Sequence, residues 1–209
     1  AMQLGAALAK VLEVAAGELL DMADRATASE SRRLYGDAMN FARERRGDFE
    51  TEFRRRFYQQ FKRESRRGGG RGLGSGSLDA SQLSLVEPDE LEGTLAASTI
   101  ENALNNVCGE ELFGLAKRVG VLLDDPELEG GANPIGPEVI GTVVMDSLRE
   151  QGLPLKTQLV LVPLINKLLP PHVRRMYQNL NHHLVDKGIL PTIRVGGRKP
   201  APGSALAAE

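Results

Sequence analysis

FETEFRRRFYQQFKRESRR, residues 49–67, carries phenylalanine at 49, 53, 57 and 61 through a run of arginines. Residues four apart lie one above the other on an α-helix and drift by about 40° per step, so the rings form one broad aromatic stripe. A solvated linker has no use for such a stripe. The spacing predicts a buried helical face made by Phe49, Phe53, Phe57 and Phe61, with Arg54, Arg55 and Arg56 between the rings. These seven residues are the candidate interaction surface.

Upstream, Leu4, Leu8, Val11, Ala15, Leu19 and Met22 alternate spacings of three and four, the pattern of an amphipathic helix facing a partner. Thr27 or Ser29 can cap the next helix, which has no proline before Arg67. At about 37 residues it would reach roughly 55 Å, and Gly36 or Gly47 is placed to bend it. The two helices form a long antiparallel hairpin over residues 1–67. A hairpin cannot bury both stripes alone, so a second hairpin or the C-terminal bundle must cover them, and a homodimer made by the first two helices is expected.

Downstream, GGGRGLGSGS at 68–77 removes side-chain packing and adds unfolded-state entropy, so residues 68–83 read as a flexible linker. Helical patterning returns over 84–193. Pro88 with Asp89, Glu90 and Glu92 suits a helix N-terminus, and Leu91, Leu95, Ala96, Thr99, Ala103 and Leu104 follow on one side. A second helix holds Leu112, Leu115, Val119 and Leu122, and three more run over 138–151, 155–169 and 172–187, with Gly188 ending the last. The fold class is all-α: a hairpin, a glycine linker and a bundle of about five helices. Residues 194–209 are rich in Gly, Pro, Ala and Ser and read as a tail or interdomain linker, which fits an excised fragment.

The charge is divided. Residues 1–77 hold 15 Lys and Arg against 11 Asp and Glu, and residues 78–209 hold 11 against 17. Between Asp79 and Glu138 only Lys117 and Arg118 oppose 13 acids. Such halves invite pairing with each other, and the arginine helix is expected to dock on the acidic stretch, within one chain or across a dimer. Cys108 is the lone cysteine, which excludes an intrachain disulfide and points to a reducing cytoplasm. Lys10, Glu13 and Glu18 interrupt the first twenty residues and the longest apolar run, 159–165, is far too short to span a bilayer, so no membrane association is expected.

No catalytic constellation emerges. His172, His183 and Asp186 share a helical face at a spacing that matches neither His-x3-His nor HExxH, and no GxSxG elbow exists. The acids at 87–92 are better used by a helix N-terminus than by acid-base work. Neither enzyme activity, cofactor nor metal is expected. The basic residues between Arg43 and Arg67 are the strongest binding surface, but Glu44, Asp48, Glu50, Glu52 and Glu64 dilute them. A nucleic-acid-binding module using this helix is the alternative reading.

Read together, SLVEPDELEGTLAASTIENA (84–103), NPIGP (133–137) and MYQNLNHHLVDKGILP (176–191) resemble the N-terminal part of a large proteobacterial family of unknown function. Some of its members are labelled automatically as thymidine phosphorylase, and some carry a C-terminal PilZ-type domain that binds cyclic di-GMP. The chain has none of the glycine-rich phosphate or pyrimidine-site signatures that the enzymatic label needs, and no PilZ arginine motif. The resemblance implies the helical front end of a cytoplasmic signalling protein, linked to cyclic di-GMP through another domain. The function expected is a non-enzymatic protein-interaction and oligomerisation module.

Overall fold

The computed structural model describes residues 1–67, 88–125 and 133–193. The linker expected at 68–83 and the tail expected at 194–209 lie outside the described residues. Regular structure among the described residues is entirely helical: α1 (Met2–Arg25), α2 (Ser29–Glu44), α3 (Arg46–Arg67), α4 (Pro88–Leu122), α5 (Pro137–Glu150), α6 (Leu155–Leu168) and α7 (Pro170–Asp186).

The hairpin is present, and its returning arm is broken. In place of one helix from 29 to 67 there are two, separated at Arg45, whose backbone leaves the helical well at φ −105°, ψ 8°. Neither glycine makes the break. It lies beside the middle of α1, where Arg46 meets Glu13 at 3.0 Å. The change of direction lets α2 run along the second half of α1 and α3 along the first. Phe41 and Phe49 meet edge to face across the bend, 6.2 Å between centroids. The far contact is tight: a Cβ on Gly5 would come within 2.7 Å of Arg54 Cγ.

The predicted stripe of α1 is buried from Leu4 to Leu19, and Leu12 and Ala16 widen it. Phe49, Phe53 and Phe57 are buried against it, with centroids 6.4 and 5.7 Å apart along the row. Phe61 departs from the expectation, being 37% exposed. Phe57 already sits beside Met2 and Leu4 in the first turn of α1, and Phe61 lies one turn past it.

The bundle has four described helices where about five were expected, because the two predicted segments at its start are one helix. α4 runs 35 residues without interruption. Gly109 costs about 1 kcal/mol in a helix interior, which packing of Ile100, Leu104, Cys108, Leu115 and Val119 outweighs at about 1.5–3 kcal/mol for each large side chain buried. α5 begins at Pro137, whose fixed φ suits a first turn. Pro163 sits inside α6 without ending it, and α7 starts at Pro170 immediately after Leu169. Gly188, at φ +76°, accepts the left-handed conformation that closes α7.

The helices stack in three layers. The hairpin rests on the middle layer, with α3 against α5, α2 against α6, and α1 against α6 and α7. α4 packs on α5, α6 and α7 from the other side. One apolar core, rich in Leu, Val, Ile and Ala, continues from Leu4 to Leu184. α4 and α5 approach so closely that a Cβ on Gly141 would lie 2.5 Å from the carbonyl oxygen of Ala97.

Candidate functional site

The predicted interaction residues divide between core and surface. Phe49, Phe53 and Phe57 face α1 in the chain's own core, whereas Tyr58 and Phe61 lie at the surface with Lys62 Nζ 4.5 Å from the Tyr58 ring centroid. The arginines are largely neutralised locally. Arg54 pairs with Glu50 at 3.8 Å, Arg55 and Arg56 both reach Glu52, and Arg56 also reaches Glu150 of α5 at 2.7 Å. The hydrogen bond from Arg55 is the main cause that holds the Glu52 carboxyl below the ordinary range, with burial opposing and Arg56 assisting. Within the chain the arginine helix therefore docks on α5, whose Glu150 lies beyond the acidic stretch expected to receive it, while α4 lies on the opposite side of the middle layer.

α4 presents the most distinctive surface. Leu91, Leu95 and Phe113 stand 54%, 57% and 49% exposed. With Asn102 and Gly109 they share one side of the helix, since offsets of 4, 11, 18 and 22 residues from Leu91 all return to within about 40° of its direction at 100° per residue. Leu95 continues into an open groove between α4 and α6 that Leu159, Val162 and Pro163 line. Between Pro88 and Ala116 the helix carries six acids and no Lys or Arg. The surface is an uncharged, partly apolar strip with acidic margins.

The opposite side of α4 is tied to α7 by a polar seam that pattern reading did not find. Arg118, only 8% exposed, donates from Nη1 to Asn181 Oδ1 at 2.8 Å, and Asn181 Nδ2 donates to the Glu111 carbonyl at 2.8 Å. The Glu111 side chain accepts from Arg174 Nε and Gln178 Nε2, each at 2.8 Å. Burial is the largest influence on the Glu111 carboxyl and pushes its pKa up, but these hydrogen bonds together bring it below the ordinary value. Gly114 leaves room for the seam, since a Cβ there would meet Arg118 Nη1 at 2.8 Å. The signal available in sequence was Asn181, a half-buried polar residue of α7, with Gln178 at the exposed edge of the seam.

The remaining reactive groups are quiet. Cys108 is buried with its thiol 3.9 Å from the Pro170 carbonyl, and burial, aided by Glu111, pushes its pKa up to about 11. It stays a protonated thiol near neutrality and is a poor nucleophile. Tyr177 donates its hydroxyl to the Ile135 carbonyl at 2.7 Å, and burial raises its pKa. His183 lines an apolar cleft of about 570 Å³ together with Phe57, Met176 and Leu180, while His182 meets Asp186 at the surface at 3.5 Å. Among the described residues no three of His, Cys, Asp and Glu gather as metal ligands, and no helix is long and apolar enough to cross a membrane.

With this geometry in view, residues 1–188 match the N-terminal domain of a family described as protein of unknown function (DUF1631). The match spans the hairpin and the whole bundle, and the chain belongs to that family. No curated protein and no solved structure matches it.

Proposed function

We propose that this domain is a non-enzymatic helical module for protein interaction and self-association within a bacterial cytoplasmic regulatory protein. The observation that carries the reading is the outer face of α4. Single exposed leucines are ordinary, but Leu91, Leu95 and Phe113 lie along one side of a helix whose other side buries Ala96, Ile100, Leu104, Cys108 and Leu115, and an apolar groove adjoins them.

The grounds for a homodimer shift with the fold. The stripes of the hairpin are covered by α5, α6 and α7 of the same chain, so self-association has to use outer faces. A nucleic-acid reading of residues 43–67 asks for free cations, and Arg54, Arg55 and Arg56 each sit beside a carboxylate. The link to cyclic di-GMP rests on family resemblance alone and would run through another domain.

The test is a quantitative pull-down from bacterial lysate with the wild-type chain and with Leu91→Asp/Leu95→Asp, alongside light scattering of each. Expected is a set of retained chains, copies of the bait included, that the double variant loses while its circular dichroism is unchanged. Identical retention and identical mass for both proteins would overturn the reading.

A further inference from the structure

We infer that the outer face of α4 receives the exposed end of α3 from a second copy of the chain. This rests on the interaction reading above and specifies what the partner brings. The face selects by charge: its apolar strip is bordered by Glu90, Glu92, Glu101 and Glu110, with no basic residue on α4 itself before Lys117, while Arg149 of α5 lies near Glu90 on the inner side. Two α4 helices paired face to face would bring these acidic margins together. If antiparallel about Asn102, Glu92 would lie within about a turn of the partner copy's Glu110, and like charges so placed repel.

The end of α3 has the complementary character. Tyr58 and Phe61 are exposed, Lys62 lies over the Tyr58 ring, and Arg63, its Nε 3.3 Å from Glu64, follows on the next position. Tyr58 and Phe61 are three apart and Leu91 and Leu95 four apart, so each pair makes a ridge on adjacent turns, and such ridges pack into the grooves of a facing helix. Within one molecule the two surfaces cannot meet, because α3 rests on α1 and α5 while α4 lies across the far side of α5, α6 and α7. The contact is therefore intermolecular and joins unlike surfaces. Repetition of such a contact gives closed rings or open chains.

Two variants separate the surfaces: Phe61→Glu/Lys62→Glu disables the α3 end, and Leu91→Lys/Leu95→Lys disables the α4 face. All four positions are exposed, and circular dichroism with a thermal melt checks that both proteins fold. In sedimentation velocity the wild type should self-associate, and each variant alone should do so at least tenfold more weakly. Mixed one to one, the variants should recover a discrete heterodimer, since one supplies an intact face and the other an intact end. Raising ionic strength from about 0.05 to about 0.5 M should weaken both assemblies. A mixture that stays monomeric overturns the inference. Self-association of both variants at wild-type strength also overturns it, but leaves the interaction reading standing through another surface. A wild type that remains monomeric overturns it too, and the interaction reading then depends on capture of a different protein by α4.

Discussion

Replacing Phe53 by alanine should destabilise the domain far more than the same change at Phe61, eight residues along the same helix. The Phe53 ring is fully buried, 5.7 Å from Phe57 and 6.4 Å from Phe49 between centroids, beneath α1. Truncating a buried phenylalanine costs about 3–5 kcal/mol through lost transfer energy and the cavity left behind. The two ring contacts, each worth about 0.5–1.5 kcal/mol beyond buried area, place this site toward the upper end. A domain of this size loses about 2–4 °C of melting temperature per kcal/mol, so Phe53→Ala should melt roughly 6–20 °C lower. Phe61 is 37% exposed and stands past the first turn of α1, so its truncation should cost about 1 kcal/mol or less. Thermal melts at low protein concentration and urea titrations measure both. Equal losses at the two positions, or an unchanged melt for Phe53→Ala, would refute the placement of α3 against α1.

Gly141→Ala should destabilise by about 1–3 kcal/mol despite alanine's better helix propensity, because its Cβ would lie 2.5 Å from the Ala97 carbonyl, whereas Gly36→Ala, with nothing within 4 Å, should stabilise by about 0.4–1 kcal/mol; urea midpoints of the two variants should move in opposite directions. The Glu111 carboxyl has a depressed pKa in the fold, so its contribution to stability is present above the unfolded value near about 4.3 and is lost as pH falls through the folded value. Wild type should therefore exceed Glu111→Gln in stability at neutral pH and converge with it in acid, and a gap constant down to about pH 2 would contradict this. Cys108, buried and with its pKa raised to about 11, should resist a thiol reagent at about pH 8 until denaturant is added. Stoichiometric labelling of the native protein within seconds would show the thiol to be accessible.

The features that sequence made legible were those set by local periodicity. Leu4 through Leu19 and Phe49 through Phe57 each keep one continuous side of a helix buried, so their spacing alone shows that side. Arg45 was invisible because arginine is a good helix former, and the break there answers to the position of α1 alongside it, not to a local breaker. α4 read as two helices because exposed Leu91, Leu95, Val107 and Phe113 stand among its apolar positions and blur the single buried side. The exposed strip of α4 was not legible, because Leu91 and Leu95 looked like core and only the layer order shows that no other described helix lies over them. The Arg118 seam depends on contacts between residues 63 and 70 apart in sequence, a distance over which no pattern is periodic.

The layer order also explains why the charge division survives folding. Residues 1–67, one outer layer, hold 14 Lys and Arg against 11 Asp and Glu, while α4, the other outer layer, holds 2 against 6. The middle helices α5, α6 and α7 are close to neutral, with 5 against 4. Folding thus keeps the excess of each sign on opposite sides of the molecule, separated by the thickness of a helix layer. Two such molecules repel when like sides meet and attract when the hairpin side of one approaches the α4 side of the other. Screening limits this bias to about 8 Å at physiological ionic strength, so it orients the encounter and adds little to its strength. The strength has to come from apolar atoms already at the two surfaces, Tyr58 and Phe61 on one side and Leu91, Leu95 and Phe113 on the other. A charge reversal confined to the margins should accordingly slow association and leave dissociation almost unchanged, while loss of the apolar residues should speed dissociation.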